Sequence, residues 1–375
     1  MPSALRKCLP TLLLLSTVFV SGRIAIGQKH QDCEPSFPLK QQWLGSDDAY
    51  SIPLHDSRVV WIFGDTMYGD KREVVGDDPR MVRNSIGVST CKAGQWSIDY
   101  ILPKNANGAH RDFFEPQHPK TWYWPMDGVA IKGELWVTLM CVRNTPEGVN
   151  NGFGFELCGT DLAHVTGLKR PPAEWKVTYQ PLVKEELSAN PTSSALVRDG
   201  YLYIYAKADK LNAMQLTRIP VAELAHAKDA LQYLGKDGQW HAGYEPANAK
   251  SIMEPGASEM SVRYHVERKQ WVSVLLDPNP YVGDAWVRFA PAMDGPWSKP
   301  QVVYHVPEMD KTAGYDKDIF CYAGKEHPEF EKPGELVFTY ACNLMKPKKL
   351  ESRSDIYFPK VVRMPMPADN APAVR

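Results

Sequence analysis

The 375-residue sequence has little net charge, a formal -1, because 43 lysines and arginines nearly balance 44 aspartates and glutamates. No overall field therefore attracts nucleic acid or an anionic membrane, and we expect neither partner. The motifs GxSxG, the P-loop, HExxH and a dinucleotide fingerprint after a strand are also missing. Their absence argues against serine-hydrolase, nucleotide-binding and zinc-protease sites, and we expect no cofactor.

Long hydrophobic runs are missing beyond the N-terminus. There, Arg6 and Lys7 precede the apolar run LPTLLLLSTVFV, and the small residues AIG follow at positions 25–27. The run is too short to span a bilayer and has the length of a signal-peptide core. We expect a signal peptide at residues 1–27 and one mature domain at 28–375, secreted or periplasmic and not membrane-bound. The alternative is an uncleaved anchor.

Closely spaced cysteines are also missing, and without a CxxC pair or a Cys/His cluster we expect no zinc site. The mature chain holds Cys33, Cys91, Cys141, Cys158, Cys321 and Cys342. An even number in an exported protein is typical of disulfides. The last two lie symmetrically about FEKPGE and the middle two flank NTPEGVNNGFG, so each of these pairs is predicted to be bridged. The first two then pair by elimination.

Strand patterns dominate, and residues 221–234, VAELAHAKDALQYL, are the best helical candidate. Five segments each read as a strand of small residues, a polar turn and a second, more apolar strand. Their turns are predicted near Asp56, Gly133, Gly200, Arg268 and Gly334, at intervals of about 65–77 residues. This repeat predicts an all-β, five-bladed β-propeller whose blades begin with these hairpins. GQWSIDYIL, DGPWSKPQVVYHV and KVVRM would supply outer strands. The alternative is a pair of β-sandwiches.

The first hairpin carries acids at its open end. YSIPL and RVVWIFG read as its strands, so Asp47 or Asp48 lies opposite Asp65. Like charges across a ladder are destabilising, which indicates that these acids have a function. In a propeller, the starts of first strands and the ends of second strands meet at one mouth. Asp127 and Glu259 are therefore expected there too.

Paired carboxyl groups of this kind suit cleavage of a glycosidic bond. One acid donates a proton to the leaving oxygen, and the other is ionised and acts as base or nucleophile. Asp47 and Asp65 are the predicted pair, with Glu259 and Asp127 as pKa modulators or as the second acid. The alternatives are a turn cap with a strand end, or a calcium site built from the same oxygens.

Other residues are predicted to bind substrate. Arg83 and Asn84 in VRNSIGVS have hydrogen-bonding groups for sugar hydroxyls, although a buried salt bridge is an equal alternative. Aromatic rings offer flat faces for sugar rings, and Trp122, Tyr123 and Trp124 are expected to edge the mouth. The predicted substrate-binding residues are Asp48, Arg83, Asn84, Trp124, Tyr322 and His327.

The motifs SDDAYSIPL, VVWIFGDT, VRNSIGVS and YWPMDGVAIKGELWV resemble those of a secreted bacterial family known as domain of unknown function 4185. The resemblance implies a five-bladed propeller glycosidase, and some members of that family are endo-D-arabinanases. The family pattern, Gly-Asp-Gly-Ala-Tyr-Ser followed by Phe-Gly-Asp-Thr, places its two catalytic candidates at Asp47 and Asp65. The sequence departs from the pattern at Asp48, where the family often has glycine.

These observations predict a secreted, monomeric glycoside hydrolase whose partner is a polysaccharide or oligosaccharide. The main alternative is a non-catalytic, lectin-like propeller, which needs aromatic rings and hydroxyl-binding groups but no acid pair. A third possibility is a metal-stabilised scaffold that presents loops to a protein partner.

Overall fold

The computed structural model describes residues 32–40, 42–76, 78–146, 154–184, 189–312 and 315–368. The predicted signal peptide, residues 1–27, lies outside them. In the described part the chain is all-β, with 25 strands and one four-residue α-helix, α1 (Ala227–Ala230). No helix there is long and apolar enough to cross a membrane. Short 3-10 helices lie between strands, at Pro172–Glu174, Asp209–Leu211, Val221–His226, Pro307–Met309, Pro328–Phe330 and Pro347–Glu351.

Five antiparallel sheets contain most of the strands, in chain order. The first sheet holds β2 (Tyr50–Pro53), β3 (Arg58–Phe63), β8 (Ser85–Lys92) and β9 (Gln95–Ile101). The second holds β10 (Thr121–Ile131), β11 (Glu134–Asn144), β12 (Phe155–Thr166) and β13 (Lys176–Lys184). The third holds β14 (Ala189–Arg198), β15 (Tyr201–Ala208), β16 (Ala213–Pro220), β17 (Gln232–Leu234) and β18 (Trp240–Ala242).

The fourth sheet holds β19 (Met260–His265), β20 (Gln270–Leu276), β21 (Asp284–Ala290) and β22 (Gln301–His305). The fifth holds β23 (Ile319–Glu326), β24 (Glu335–Leu344) and β25 (Lys360–Pro365). Two small sheets lie beside them, one of β1 (Trp43–Ser46), β4 (Thr66–Tyr68) and β7 (Met81–Val82), the other of β5 (Val74–Val75) and β6 (Asp78–Pro79).

The first two strands of each large sheet form the hairpins predicted from the repeat. Their turns include Asp56, Gly133, Gly200, Arg268 and Gly334. The three glycines have φ values of 81°, 81° and 79°, a left-handed conformation in which a residue without a Cβ is unstrained. Strands are present where the outer strands were predicted, since GQWSIDYIL contains β9, DGPWSKPQVVYHV contains β22, and KVVRM lies in β25.

The helix predicted for residues 221–234 is confirmed only in its first part. The segment begins with a 3-10 helix, Val221–His226, and α1, but it ends in strand β17. There Tyr233 pairs with Thr217 of β16, and its side chain is buried in the apolar core of the third sheet. Sheet pairing therefore overrides the helical pattern at this end.

The inner strands of neighbouring sheets contact one another through small or polar residues. Five contacts connect the sheets: Gly128 with Ile52, Ala195 N–H to the Asp127 carboxylate, Val262 N–H to Ser194 Oγ, Glu326 N–H to Ser261 Oγ, and Ser51 Oγ with His327 Nδ1. The last contact joins the fifth sheet to the first. Sheets that follow one another along the chain therefore contact one another through these groups.

Large apolar side chains fill the space between the sheets. Ile52 and Ile62 of the first sheet, for example, pack with Leu135 and Val137 of the second, and none of these is more than 1% exposed. Burying such a side chain contributes about 1.5–3 kcal/mol relative to leaving it in water. The core therefore holds the sheets together and fixes the ends of their strands.

Three disulfides are present, and all three predicted pairs are confirmed: Cys33–Cys91, Cys141–Cys158 and Cys321–Cys342. Cys321 lies directly opposite Cys342 on β23 and β24, as the symmetric spacing indicated. Disulfides of this number are typical of an extracellular or periplasmic protein.

Removing the Cys33–Cys91 disulfide should lower the free energy of unfolding by about 2–4 kcal/mol, because the bond closes a long loop and restricts the unfolded chain. Urea unfolding of the Cys33→Ser/Cys91→Ser variant measures this loss. Peptide mapping under non-reducing conditions should find the bond in the wild type. Free thiols at both positions, or an unchanged unfolding free energy, would contradict the prediction.

Candidate active site

An open cavity of about 830 Å³ lies where the ends of several inner strands meet. Its wall is formed by the segments before β2, after β3 and before β8, by β10 and β23, and by the segment before β19. Seven of the predicted site residues line it: Asp47, Asp48, Asp65, Arg83, Trp124, Glu259 and Tyr322.

Asp47 and Asp65 face each other at the open end of the first hairpin, as the sequence predicted. Asp47 N–H donates to the Asp65 carbonyl oxygen, and Gly64 N–H donates to the Asp47 carbonyl oxygen, each at 3.3 Å. The same register continues into the ladder, where Tyr50 lies opposite Ile62. Backbone pairing therefore fixes both acids at the cavity wall.

Gly64 leaves the space that these crowded acids occupy. A Cβ at this position would lie 2.4 Å from Asp47 Oδ1 and 2.8 Å from Asp48 Oδ2. Both distances are shorter than any normal carbon–oxygen contact. A side chain at position 64 would therefore displace the two carboxyl groups. This steric conflict explains why the FGDT motif has glycine at this position.

Asp65 is held by two donors. Arg83 Nη1 lies 3.1 Å from its Oδ2, and Trp124 Nε1 donates to its Oδ1 at 3.0 Å. Burial raises the pKa of Asp65, while the Arg83 charge and both hydrogen bonds oppose that rise. Since these contacts stabilise the charged form, the pKa of Asp65 rises less than burial alone would raise it.

Asp47 and Asp48 accept hydrogen bonds from tyrosine hydroxyl groups, whereas Asp65 forms an ion pair with Arg83. Tyr322 Oη donates to Asp47 Oδ2 at 3.2 Å, and Tyr50 Oη donates to Asp48 Oδ1 at 2.6 Å. Burial raises the pKa of both acids well above the usual range, and repulsion from neighbouring carboxylates raises it further. These two groups therefore keep a proton to higher pH than an exposed aspartate does.

The backbone at Asp48 has a φ of 61°, in the left-handed region. Aspartate tolerates this conformation better than most residues, and glycine adopts it without strain. The conformation is a physical reason for the glycine that the family pattern often has at this position. Asp48 therefore keeps the glycine-like backbone and adds a carboxyl group.

Glu259 directly precedes β19 and joins the same cavity. Its Oε2 accepts a hydrogen bond from Ala323 N–H at 3.0 Å. Burial raises the pKa of Glu259 to about 7, although this hydrogen bond and the Lys325 charge act in the opposite direction. Glu259 is therefore an acid that holds and releases a proton near neutral pH.

Aromatic rings form much of the cavity wall: Trp122, Trp124, Phe155, Phe320, Tyr322 and Tyr357. Trp124 meets Phe155 edge-on with ring centroids 4.8 Å apart, and Phe320 stacks on Tyr322 at 5.4 Å. Tyr123, which was expected at the edge, is instead buried, and its hydroxyl donates to Asp161. The wall thus combines flat apolar faces with polar edges.

Asp127 does not line the cavity, which corrects its assignment as a reserve acid. It is fully buried, with Arg263 at 3.2 Å and Lys325 at 3.5 Å. Its carboxylate also accepts hydrogen bonds from the N–H groups of Gly128 and Ala195. Burial alone would raise its pKa, but the two cations hold the pKa below the usual value. Asp127 is therefore a structural charge between sheets.

Asn84 and His327 are also buried away from the cavity wall, so the geometry contradicts their assignment to substrate binding. The Asn84 side chain bonds to the backbone of Phe114 and to the Tyr123 carbonyl oxygen. His327 lies between Ser51 Oγ at 2.6 Å and Thr339 Oγ1 at 2.8 Å, beyond the end of β23. Both side chains have their polar atoms satisfied within the protein.

Several wall residues were not predicted. Phe320 lies two residues before Tyr322 on the same strand, so the alternation of side chains along β23 was a usable signal. Tyr357 lies between β24 and β25, yet its hydroxyl donates to the Asp65 carbonyl oxygen at 2.9 Å. No sequence pattern connects these two positions, which are 292 residues apart.

Comparison with known proteins gives one family and several structural neighbours. The model of the family described as Domain of unknown function (DUF5005) matches residues 33–366. A search of curated proteins found no match. The structure of a candidate hydrolase from Bacteroides ovatus has 18% identity, covers 86% of each chain and has a TM-score of 0.64.

Two further neighbours are glycoside hydrolases. An exo-β-1,3-galactanase from Phanerochaete chrysosporium has 11% identity over 89% of this chain and 67% of that chain, with a TM-score of 0.47. A GH43_1 enzyme from Xanthomonas citri has 11% identity over 88% of this chain and 89% of that chain, with a TM-score of 0.46. The similarity to the Bacteroides structure shows a shared fold. The galactanase and the GH43_1 enzyme are too distant from this chain to support a conclusion.

Gly64→Ala should lower the free energy of unfolding by about 1–3 kcal/mol, because the new methyl group overlaps Asp47 Oδ1. The loss should be smaller in an Asp47→Ala background, where that carboxyl group is absent. Urea unfolding of the two single variants and the double variant measures this coupling. Gly128→Ala is the matched control, since its methyl group would meet Ile52 and Trp136 instead. An equal loss in both backgrounds would contradict the steric role.

Proposed function

This chain belongs to the family described as Domain of unknown function (DUF5005), and we propose that it is a glycoside hydrolase that cleaves a polysaccharide in the acidic cavity. The observation that carries the proposal is the convergence of five carboxyl groups in one open, aromatic-walled cavity: Asp47, Asp48, Asp65, Glu259 and Asp277. Their environments differ, which is the condition for one acid to donate a proton while another stays ionised.

The proposal includes a five-bladed β-propeller formed by the mature chain, residues 28–375, as one domain. Five hairpins at regular intervals and five sheets that contact one another in chain order support this arrangement. The contact between Ser51 and His327 supports closure between the last blade and the first. Membership in the family known as domain of unknown function 4185 remains a prediction from the motifs.

In this mechanism Glu259 is the general acid. Its burial keeps the proton on the carboxyl group up to about pH 7, so that the proton is available for the leaving glycosidic oxygen. The cleaved bond loses its electron pair to that oxygen, and the proton from Glu259 neutralises it. The sequence predicted Glu259 only as a pKa modulator or a possible second acid. Its raised pKa is the reason that we assign it the role of general acid.

Asp65 is the ionised carboxylate that acts on the reacting sugar. Its contacts with Arg83 and Trp124 keep it ionised, as a base toward water or as a nucleophile toward the anomeric carbon. Burial raises the pKa of Asp47, and the charges of Asp48, Asp65 and Glu259 raise it further. We assign Asp47 the role of adjusting their pKa values, and Asp48 a place in substrate binding.

The aromatic wall and Arg83 would bind the sugar rings. Trp124 and Tyr322 offer ring faces for stacking, while each also donates a hydrogen bond to an acid, Asp65 and Asp47 respectively. Binding and acid placement are thus connected through the same side chains. Two of the structural neighbours were solved with β-1,3-galactotriose and with xylotriose, so galactan and xylan belong in a substrate screen beside arabinan.

The proposed enzyme acts outside the cytoplasm. Three disulfides support an oxidising compartment, and the apolar N-terminal sequence supports a signal peptide that ends near residue 27. A polysaccharide too large to enter a cell fits this location.

Asp65→Asn should lower the rate of polysaccharide hydrolysis about 100-fold or more, because the amide can neither accept the proton nor attack carbon. Asp47→Asn should also lower the rate, by disturbing the pKa values of its neighbours. The measurement is release of reducing ends by purified wild type and variants. Asp56→Asn is the control, since this exposed aspartate lies at the closed end of the same hairpin.

Melting temperatures separate a catalytic role of Asp47 from a structural one. Because the pKa of Asp47 is raised in the folded protein, its ionisation destabilises the fold as pH rises above about 4, the value at which an aspartate ionises in the unfolded chain. Asp47→Asn should therefore melt higher than wild type at pH 7 and equally at pH 3–4. A variant that melts lower at pH 7 but hydrolyses normally would show that the acid is structural. Wild type that binds sugars without cleaving them would support the lectin-like alternative.

Glu259→Gln should lose the fall in activity that wild type shows as pH rises through about 7, because that fall reports loss of the Glu259 proton. The variant should recover much of its rate on an aryl glycoside with a good leaving group, which needs no proton. Rate-against-pH profiles on both substrate types test this. Asp65→Asn is the matched comparison and should not recover. Recovery by Asp65→Asn instead would reverse the two roles.

A further inference from the structure

A second group of ionisable side chains lies at the opposite ends of the strands that form the cavity. His265 ends β19, Glu326 ends β23, and Glu331 follows the 3-10 helix Pro328–Phe330. One nitrogen or oxygen atom from each lies within 4.8 Å of the others. Since His265 follows Glu259 by six residues of extended chain, the group is about 20 Å from the candidate active site.

Two carboxylate oxygens of this region lack a hydrogen-bond donor among the described residues. Glu326 is 1% exposed, and its Oε1 contacts His265 Nε2 at 2.6 Å while its Oε2 has no partner. Glu329 is 8% exposed, and its Oε1 also has none. Buried carboxylate oxygens normally have a donor or a cation. These oxygens therefore lack the donor or cation that buried carboxylates normally have.

The charges buried here also fail to balance. Four acids surround two bases: Asp127, Glu326, Glu329 and Glu331 with Arg263 and Lys325. Arg268 and Glu267, in the turn after β19, carry opposite charges near His265. Acidic groups therefore outnumber basic groups around His265, and a bound cation would reduce this excess.

We propose that His265, Glu326 and Glu331 bind one divalent transition-metal ion. An imidazole nitrogen with two carboxylate oxygens is a ligand set for Zn²⁺ or Mn²⁺, whereas Ca²⁺ takes six to eight oxygens. The His265 side chain is 13% exposed, which gives the ion a route from solvent. The ion connects β19 of the fourth sheet with β23 and the following turn of the fifth. Its role is to stabilise that junction, and it does not depend on the proposed hydrolase activity.

The experiment uses the full mature protein, first dialysed against a chelator and then against Zn²⁺. We expect one zinc ion per chain by mass spectrometry of the metal content, and a melting temperature several degrees higher with Zn²⁺ than after the chelator. Mn²⁺ should raise the melting temperature as well. Ca²⁺ at the same concentration should not.

Two variants locate the ion. His265→Ala and Glu331→Gln should each lose the bound zinc and the zinc-dependent rise in melting temperature. His241→Ala is the matched control, because His241 also contacts a carboxylate, Asp237, but at an exposed site. If His265→Ala does not fold, Glu331→Gln decides, since it keeps the shape of the side chain. No bound ion in wild type, or zinc retained by Glu331→Gln, would overturn the proposal.

Discussion

The register of one hairpin is the constraint on which the candidate site depends. Pairing of Asp47 with Gly64 and Asp65 places two carboxyl groups on one small area of backbone, and Asp48 adds a third. Burial raises the pKa of all three, so the neighbours must supply compensating contacts. Arg83 supplies a charge. The remaining compensation comes from Trp124 and from tyrosine hydroxyls, which are also part of the aromatic wall.

The same inner strands serve different purposes at their two ends. At the cavity end, largely buried acids without a full set of cations line a large open space. At the other end and between the sheets, Asp127, Arg263 and Lys325 form a buried network that joins three sheets. Lys325 belongs to both regions, since its charge acts on Asp48 and Glu259 as well as on Asp127. The stability of the fold and the acidity of the cavity are therefore coupled.

Local features of the fold were predictable from sequence. The face to which each side chain of an inner strand points was not. Hairpin turns and disulfides follow from spacing, which a sequence displays directly. Asp127 was misplaced because β10 has an irregular register between Pro125 and Asp127, which breaks the alternation of side chains. A similar irregularity lies between Tyr322 and Lys325 of β23. The raised pKa of Glu259 was also not predictable, because it results from burial by segments that are far apart in the chain.

The most direct test is release of reducing ends from a panel of polysaccharides, measured for wild type and for the Asp65→Asn/Glu259→Gln double variant. If the acidic cavity is the catalytic site, wild type should cleave at least one polymer, and the double variant should bind the same polymer while cleaving it about 1,000-fold more slowly or not at all. Equal cleavage by both proteins would show that the acidic cavity is not the catalytic site.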